Sequence, residues 1–332
     1  MTRFAMIGAG RIARAHAKSF QAIDDAELVW VTDPVQEAVE SLAALTGAKA
    51  AADPSEALAD PSVDALLICS PTPTHVELIR AGVAAGKAVL CEKPIDLSLE
   101  RANELAADLA GSGARVMMGF NRRFDPSFAA INARVVAGEI GKIEQVVIIS
   151  RDPAPPPPAY VAASGGIFKD MTIHDFDMAR FFLPDIVEVE AVGQNVVDPG
   201  IEEAGDYDGA IVTLRASSGA LATIVNSRRC TFGYDQRLEV FGELGMLQAE
   251  NLLPNSVRSY GTDHAERTAP YLHFFLERYA AAYAAELKAF VDALNSGAEF
   301  SPSLEDGRAA LELAVAADES ARSGRRVAVR AG

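Results

Sequence analysis

Residues 1–120 alternate short apolar segments with helical patterns. The predicted strands are Phe4–Ile7, Glu27–Thr32, Ala65–Cys69, Ala88–Cys91 and Val116–Gly119. This alternation predicts a parallel β-sheet with helices on both faces. Right-handed crossovers then place a ligand beyond the carboxyl ends of the strands.

A glycine-rich turn follows the first predicted strand. Gly8-Ala9-Gly10-Arg11-Ile12-Ala13 matches the pattern G-x-G-x-x-A. Gly8 permits a tight turn, Gly10 lets the backbone approach a pyrophosphate, and Ala13 allows the helix to pack closely on the strand. The N-terminus of that helix supplies free N–H groups and the positive end of a dipole. Because the motif lies between a strand and a helix, it predicts a dinucleotide site.

An acidic residue, Asp33, ends the second strand. Its carboxylate can accept hydrogen bonds from both ribose hydroxyls and would repel a 2′-phosphate, which favours NAD over NADP. The alternative is that Asp33 is only a loop acid before Pro34.

The third and fourth strands also end in unusual residues. Prolines stiffen the loop Ser70–His75, and Thr74 could cap the next helix. Lys93 follows the fourth strand, where its ammonium could polarise an alcohol or carbonyl oxygen and a carboxylate partner would fix it. A solvated surface lysine is equally consistent with these facts. The Lys93–Pro94 bond is a candidate cis peptide.

After residue 120 strands follow one another, which predicts a mainly antiparallel sheet. These strands are Lys142–Ser150, Val187–Val197, Gly209–Ala216, Ala220–Ser227, Arg237–Phe241 and Met246–Ala249, followed by helices Leu272–Leu294 and Leu304–Ser323. We therefore predict an α/β protein with two domains. Residues 1–120 form a doubly wound, NAD-binding Rossmann domain. Residues 121–332 form an α+β domain on an open sheet, for substrate binding and oligomerisation.

Three polar residues lie at helical spacing in the second predicted domain. Asp170, His174 and Asp177 occupy positions i, i+4 and i+7 and would share one helix face. A carboxylate one turn from an imidazole suits a general acid/base. Two alternatives stay open. Asp170 could be an N-cap and Asp177 a surface acid, or the face could bind a divalent metal.

Composition excludes several classes of protein. Acidic residues outnumber basic ones by 46 to 30, and the net charge of −16 disfavours nucleic acid and anionic membrane surfaces as partners. No apolar run approaches the ~20 residues of a membrane span, and no signal sequence is recognisable. Three cysteines without C-x-x-C spacing predict neither disulfides nor a zinc site, and favour a cytoplasmic location. The run Pro153–Pro158 could be a linker, a ligand for a partner protein or an active-site wall.

Taken together, the motifs resemble the glucose–fructose oxidoreductase / inositol dehydrogenase / rhizopine catabolism family over nearly the whole chain. The residues that carry the resemblance are Gly8–Ala13, Ser70–His75, Glu92-Lys93-Pro94, Gly119–Asp125, Gly165–Arg180, Asn226–Arg229, Tyr234–Arg237 and Phe275–Tyr279. The resemblance is greatest to the inositol dehydrogenases of the family. It implies an NAD-dependent oxidation of myo-inositol to scyllo-inosose in inositol catabolism, and a homotetramer.

The resemblance also implies roles for individual residues. Lys93, Asp170 and His174 would be catalytic, and Arg122, Asp177 and Tyr234 would line the polyol pocket. The cofactor site is expected to comprise Gly8, Gly10, Arg11, Ile12, Asp33, Ser70, Thr72, His75 and Glu92, without a metal. Phe232 and Asn121 depart from the family pattern, which leaves another cyclitol or sugar open, such as scyllo-inositol, D-chiro-inositol or glucose. A non-catalytic dinucleotide sensor is the remaining alternative.

Overall fold

The computed structural model describes residues 1–329, so the last three residues of the predicted domain 121–332 lie outside the described residues. The chain divides into two compact units. The first contains Met1–Phe124 and Ala280–Leu311, and the second contains Asp125–Tyr279 and the residues from Glu312 onward.

The first unit is built on a parallel six-stranded sheet with the order β3-β2-β1-β4-β5-β6. Its strands are β1 (Thr2–Ile7), β2 (Ala26–Thr32), β3 (Lys49–Ala51), β4 (Ala65–Ile68), β5 (Ala88–Glu92) and β6 (Val116–Gly119). The order reverses between β1 and β4, which in open α/β sheets creates the ligand-binding crevice. The Rossmann prediction is confirmed, except that the short strand β3 was not predicted.

Helices connect these strands. They are α1 (Arg11–Ser19), α2 (Gln36–Thr46), α3 (Ser55–Ala59), α4 (His75–Ala84) and α5 (Leu99–Leu109), with 3-10 turns at Phe20–Ala22, Thr72–Thr74 and Asn121–Phe124. The α1 face that packs on the sheet is made of small residues, Ala13 and Ala17, together with His16, all of which are buried. Small side chains allow this helix to lie close to the strands.

The domain boundaries predicted from sequence need a correction, because a later segment belongs to the first unit. The helix α12 (Ala280–Ser296) packs on the Rossmann core through Leu287, Phe290 and Val291. The ring of Phe290 lies 5.5 Å from that of Phe4 in β1 and 4.6 Å from that of Phe300. Burial of this apolar face places residues 280–311 with the nucleotide-binding half of the chain.

The second unit is built on a seven-stranded sheet with the order β12-β11-β7-β10-β9-β8-β13. Its strands are β7 (Ile143–Arg151), β8 (Ile186–Gln194), β9 (Gly209–Ala216), β10 (Leu221–Ser227), β11 (Asp235–Gly242), β12 (Gly245–Ala249) and β13 (Val327–Ala328). Within this second sheet, as far as the structure describes it, only the pair β7–β10 is parallel and the other pairs are antiparallel. The predicted mainly antiparallel sheet is confirmed.

The helices of the second unit are short, except α6 and α9. They are α6 (Pro126–Val136), α7 (Pro158–Ser164), α8 (Ile167–Asp170), α9 (Ile173–Phe182), α10 (Pro199–Glu203) and α11 (Phe275–Arg278), and the unit boundary falls within α13 (Leu304–Ser323). The predicted helix Leu272–Leu294 is wrong as one element, because α11 ends at Arg278 and α12 begins at Ala280.

The three cysteines, Cys69, Cys91 and Cys230, are free and buried. Burial raises the pKa of all three thiols above the ordinary value, so they remain neutral at physiological pH. Within residues 1–329, no helix has both the length and the apolar character needed to cross a membrane.

Candidate active site

The glycine turn has the geometry that a dinucleotide requires. Gly8 has a φ of +103°, and a Cβ at this position would lie 2.7 Å from backbone atoms of Cys69 and Ser70. Only glycine fits this approach between the ends of β1 and β4. A Cβ on Gly10 would meet no atom within 4 Å, so space remains beside the N-terminus of α1. Arg11 is exposed and Ile12 half-buried in the first turn of that helix.

Asp33 is held in place by the backbone around the same turn. Its two carboxylate oxygens accept hydrogen bonds from the N–H groups of Ala9, at 2.7 Å, and Val35, at 2.8 Å. Each carboxylate oxygen has a second lone pair, so Asp33 can still accept from ribose hydroxyls. The side chain is therefore a preorganised part of the crevice rather than only a loop acid before Pro34.

His75 connects two loops at the carboxyl edge of the sheet. Its imidazole is buried. Nδ1 lies 2.7 Å from the carbonyl oxygen of Pro94, and Nε2 lies 2.9 Å from the carbonyl oxygen of Ser70. Its side chain therefore supports the crevice and is not available as a direct cofactor ligand. Thr74 bonds with Ser70 and the Pro71 carbonyl rather than capping α4, while Thr72 begins the 3-10 turn and is half-buried.

Glu92, which is predicted to belong to the cofactor site, makes supporting contacts at the end of β5. One carboxylate oxygen lies 2.7 Å from Nε2 of the buried His16, and the other accepts a hydrogen bond from the backbone N–H of Lys93 at 3.3 Å. The carboxylate therefore fixes the backbone at Lys93, whose side chain is partly exposed at the end of β5. The Lys93–Pro94 peptide is cis.

Arg122 lies in the first unit, within the 3-10 turn Asn121–Phe124, and is 4% exposed. Its neighbour Arg123 donates a hydrogen bond to Asp306 at 3.0 Å. Burial alone would raise the pKa of the Asp306 carboxyl. The positive charge of Arg123 and the hydrogen bonds from Ser303 outweigh burial and lower this pKa below its ordinary range. This ion pair ties the Arg122 turn to the start of α13.

Asp170 and His174 lie in the second unit, at a junction between two helices rather than on one. Asp170 is the last residue of α8, and α9 begins at Ile173, with His174 in its first turn. The prediction of a single continuous helix is therefore wrong. Asp170 is not an N-cap either, because Thr172 occupies that position before α9.

The Asp170 carboxylate has polar neighbours on both oxygens. The Tyr160 hydroxyl donates to Oδ1 at 3.0 Å, and a guanidinium nitrogen of Arg228 lies 3.7 Å from Oδ2.

Asp177 and Tyr234 are 1% and 5% exposed, so Asp177 is not a surface acid. The ring of Tyr234 makes an edge contact with Phe274 at 5.6 Å.

The proline run has a defined place in this unit. Residues 152–157 join β7 to α7, and both elements lie in the second unit, which excludes a linker between domains. The run leads directly to Tyr160, which contacts Asp170.

Sequence reasoning did not single out His16 or Asp206. A histidine on the same face of α1 as Ala13 and Ala17 was a usable signal, because that face must pack on the sheet. Nothing in the sequence connects Asp206 to Arg228, since their contact depends on how distant strands and loops fold. No group of three or more His, Cys, Asp or Glu side chains suited to a metal ion occurs within residues 1–329.

The observed residues fit NAD. The open space at Gly10 and the N-terminus of the nine-residue helix α1 suit a pyrophosphate, and Asp33 suits an unmodified ribose. Fold and geometry thus define a dinucleotide-binding protein.

Comparison with known proteins gives the family. The family model described as "Oxidoreductase family, NAD-binding Rossmann fold" (GFO_IDH_MocA) matches residues 2–120, and the "GFO/IDH/MocA C-terminal domain" matches residues 128–248. The chain belongs to the GFO/IDH/MocA family of oxidoreductases and uses NAD.

Several relatives match over their full length. Inositol 2-dehydrogenase of Rhizobium meliloti is 48% identical over 98% of this chain and 99% of its own. Myo-inositol 2-dehydrogenase of Thermotoga maritima is 45% identical over 98% of both chains. The crystal structure of a myo-inositol dehydrogenase from Corynebacterium glutamicum is 54% identical and superposes with a TM-score of 0.97 over 100% of both chains.

Proposed function

We propose that this protein is an NAD-dependent inositol 2-dehydrogenase, which oxidises myo-inositol to scyllo-inosose. The observation that carries the proposal is that Lys93, Asp170 and His174 all occur in a chain whose full-length relatives are named for this activity. Each of the three supplies chemistry that alcohol oxidation needs. The product is a neutral ketone, so the site must manage one proton and one hydride.

His174 is proposed to accept the proton of the hydroxyl that becomes the carbonyl. Asp170 orients the imidazole and stabilises its positive charge. The Lys93 ammonium donates a hydrogen bond to the oxygen as negative charge develops there, which lowers the barrier. NAD, when bound, supplies the hydride acceptor.

Substrate recognition is assigned to Arg122, Asp177 and Tyr234. A polyol presents several hydroxyls that donate and accept hydrogen bonds, and a site built for them rejects analogues that leave its buried polar groups unpaired. The near-complete burial of Asp177 and Arg122 makes such a penalty large. Myo- and scyllo-inositol differ in configuration only at the reacting carbon, so the isomer preference is decided close to His174.

The direct test is NADH formation, followed by absorbance, with purified protein, NAD and myo-inositol. We expect turnover with NAD to exceed that with NADP. Lys93→Met and His174→Asn should each lower kcat at least about 100-fold, the scale of general acid/base catalysis. Lys49→Met, which changes an exposed lysine of the same unit, is the matched control. NAD binding without turnover on any inositol isomer or aldose would favour a dinucleotide sensor instead.

A homo-oligomer, specifically a homotetramer, is the second part of the proposal. One face of the second unit's sheet carries a row of side chains that runs across five neighbouring strands, Val192, Ile211, Val225, Ile149 and Arg237. Val192 and Ile211 are 67% and 55% exposed in the isolated chain. Four of these five side chains are apolar, and a sheet face of this kind suits contact with a second copy.

The solution mass tests this assembly. We expect a tetramer, and we expect Ile211→Glu to give a smaller species because a charge would enter the apolar row. Val136→Glu is the control, since Val136 is 79% exposed in the same unit but lies at the end of α6. A wild-type monomer would contradict the proposal.

We further propose a cytoplasmic enzyme of inositol catabolism, consistent with three free, buried cysteines.

A further inference from the structure

Arg228 is 1% exposed and lies between two carboxylates of the second unit. It follows β10, and its NH2 group donates a hydrogen bond to Oδ2 of Asp206 at 3.2 Å. Its NH1 group lies 3.7 Å from Oδ2 of Asp170. One guanidinium therefore bridges Asp206 and the proposed partner of His174.

Asp206 also holds the helix that carries Asp170. Its Oδ1 accepts a hydrogen bond from the backbone N–H of Ile167, the first residue of α8, at 2.9 Å. A Cβ on Gly166 would lie 2.7 Å from this oxygen, so the carboxylate fits closely against the turn before the helix. Asp206 thus contacts the start of α8, and Arg228 lies beside the residue at its end.

A purely structural role explains this arrangement poorly. Burial of a guanidinium costs several kcal/mol of desolvation, and well-packed apolar residues often stabilise a fold equally well. What an apolar residue cannot do is hold the Asp170 carboxylate in one direction through a polar contact. Tyr160 donates to the other oxygen of Asp170, so both oxygens have a polar neighbour.

We propose that Arg228 is a positioning residue, which together with Asp206 fixes the Asp170 carboxylate in the orientation that supports His174. This inference rests on the proposed role of Asp170 in the reaction. It predicts that Arg228 affects turnover through Asp170 and does not affect cofactor binding.

A double-mutant cycle between positions 228 and 170 tests this inference. Arg228→Met should lower kcat on the order of 100-fold, the effect of misplacing a catalytic group by about 1 Å, and leave the KM for NAD unchanged. Arg228→Lys keeps the charge but not the planar fork, and should recover part of the loss. In an Asp170→Asn background, Arg228→Met should have almost no further effect on kcat. Arg229→Met, which removes the exposed neighbouring arginine, should match wild type.

Additive effects of the two substitutions on kcat would overturn the inference, because they would mean that Arg228 acts independently of Asp170. If Arg228→Met does not fold, Asp206→Asn carries the same cycle, since it keeps an acceptor for Ile167 and removes the charge beside Arg228. If wild type turns over no polyol, the proposed function fails separately. The same double-mutant cycle is then measured on the free energy of urea unfolding. A coupling energy between positions 228 and 170 supports the placement of Asp170, and additive effects of the two substitutions overturn it.

Discussion

Alanine substitutions at Gly8 and Gly10 should affect different properties, because Gly8→Ala should lower the stability of the protein whereas Gly10→Ala should weaken cofactor binding. At Gly8 the backbone is strained for any other residue, at a cost of about 1–3 kcal/mol. A Cβ 2.7 Å from three backbone atoms adds an overpacking cost of about 1–3 kcal/mol, because the end of β4 must move. Gly8→Ala should therefore lower the free energy of unfolding by about 2–6 kcal/mol, even without cofactor.

At Gly10 the same change meets no atom within 4 Å and the φ of −76° is ordinary. Gly10→Ala should change the stability of the cofactor-free protein by no more than about 1 kcal/mol. The added methyl group occupies the space for the pyrophosphate, so the Kd for NAD should rise at least about tenfold, or about 1.4 kcal/mol.

Urea unfolding followed by the fluorescence of the single tryptophan, Trp30, measures the first effect, and calorimetric titration with NAD measures the second. The reasoning is refuted if Gly8→Ala is as stable as wild type. It is also refuted if Gly10→Ala binds NAD with wild-type affinity.

Three further predictions concern the two units. Phe290→Ala should cost about 3–5 kcal/mol in urea unfolding, because this fully buried ring fills the core under α12, and a value near zero would contradict its place there. Asp33→Ser should raise kcat/KM for NADP relative to NAD, and an unchanged ratio would show that Asp33 does not select the cofactor. Burial raises the pKa of Asp235, but Arg237 and Asn251 outweigh this and lower it below its ordinary range. The resulting stability is present above the unfolded pKa of about 3.9 and is lost as pH falls through the lower folded value. Asp235→Asn should therefore flatten the fall in Tm below about pH 4, and an unchanged slope would refute the assignment.

The fold was largely predictable because both sheets have clear local signals. The apolar segments that became β1, β4 and β5 are buried throughout, and helix α13 has the predicted bounds, Leu304–Ser323. The strand β3 escaped prediction because it has three residues, two of them exposed, and no apolar run. Which unit α12 joins was not predictable, because an amphipathic pattern shows that a helix face is buried but not what it packs against.

The candidate site was predictable only where its residues lie in short motifs. Gly8, Gly10 and Asp33 belong to a turn whose chemistry is local. The spacing of Asp170 and His174 is compatible with a continuous helix, so the helix break between them leaves no trace in the pattern. The supporting contacts of Glu92 with His16 join residues distant in sequence, and such contacts are set by tertiary packing.

Transfer of the hydrogen at carbon 2 is the most direct test of the central claim. Wild-type protein is incubated with NAD and myo-inositol carrying deuterium at carbon 2, and the NADH is examined by mass spectrometry. The account predicts deuterated NADH together with scyllo-inosose, and formation of both at least about 100-fold more slowly by Lys93→Met at the same protein concentration. NADH without deuterium, or no NADH from myo-inositol, would contradict the proposed function.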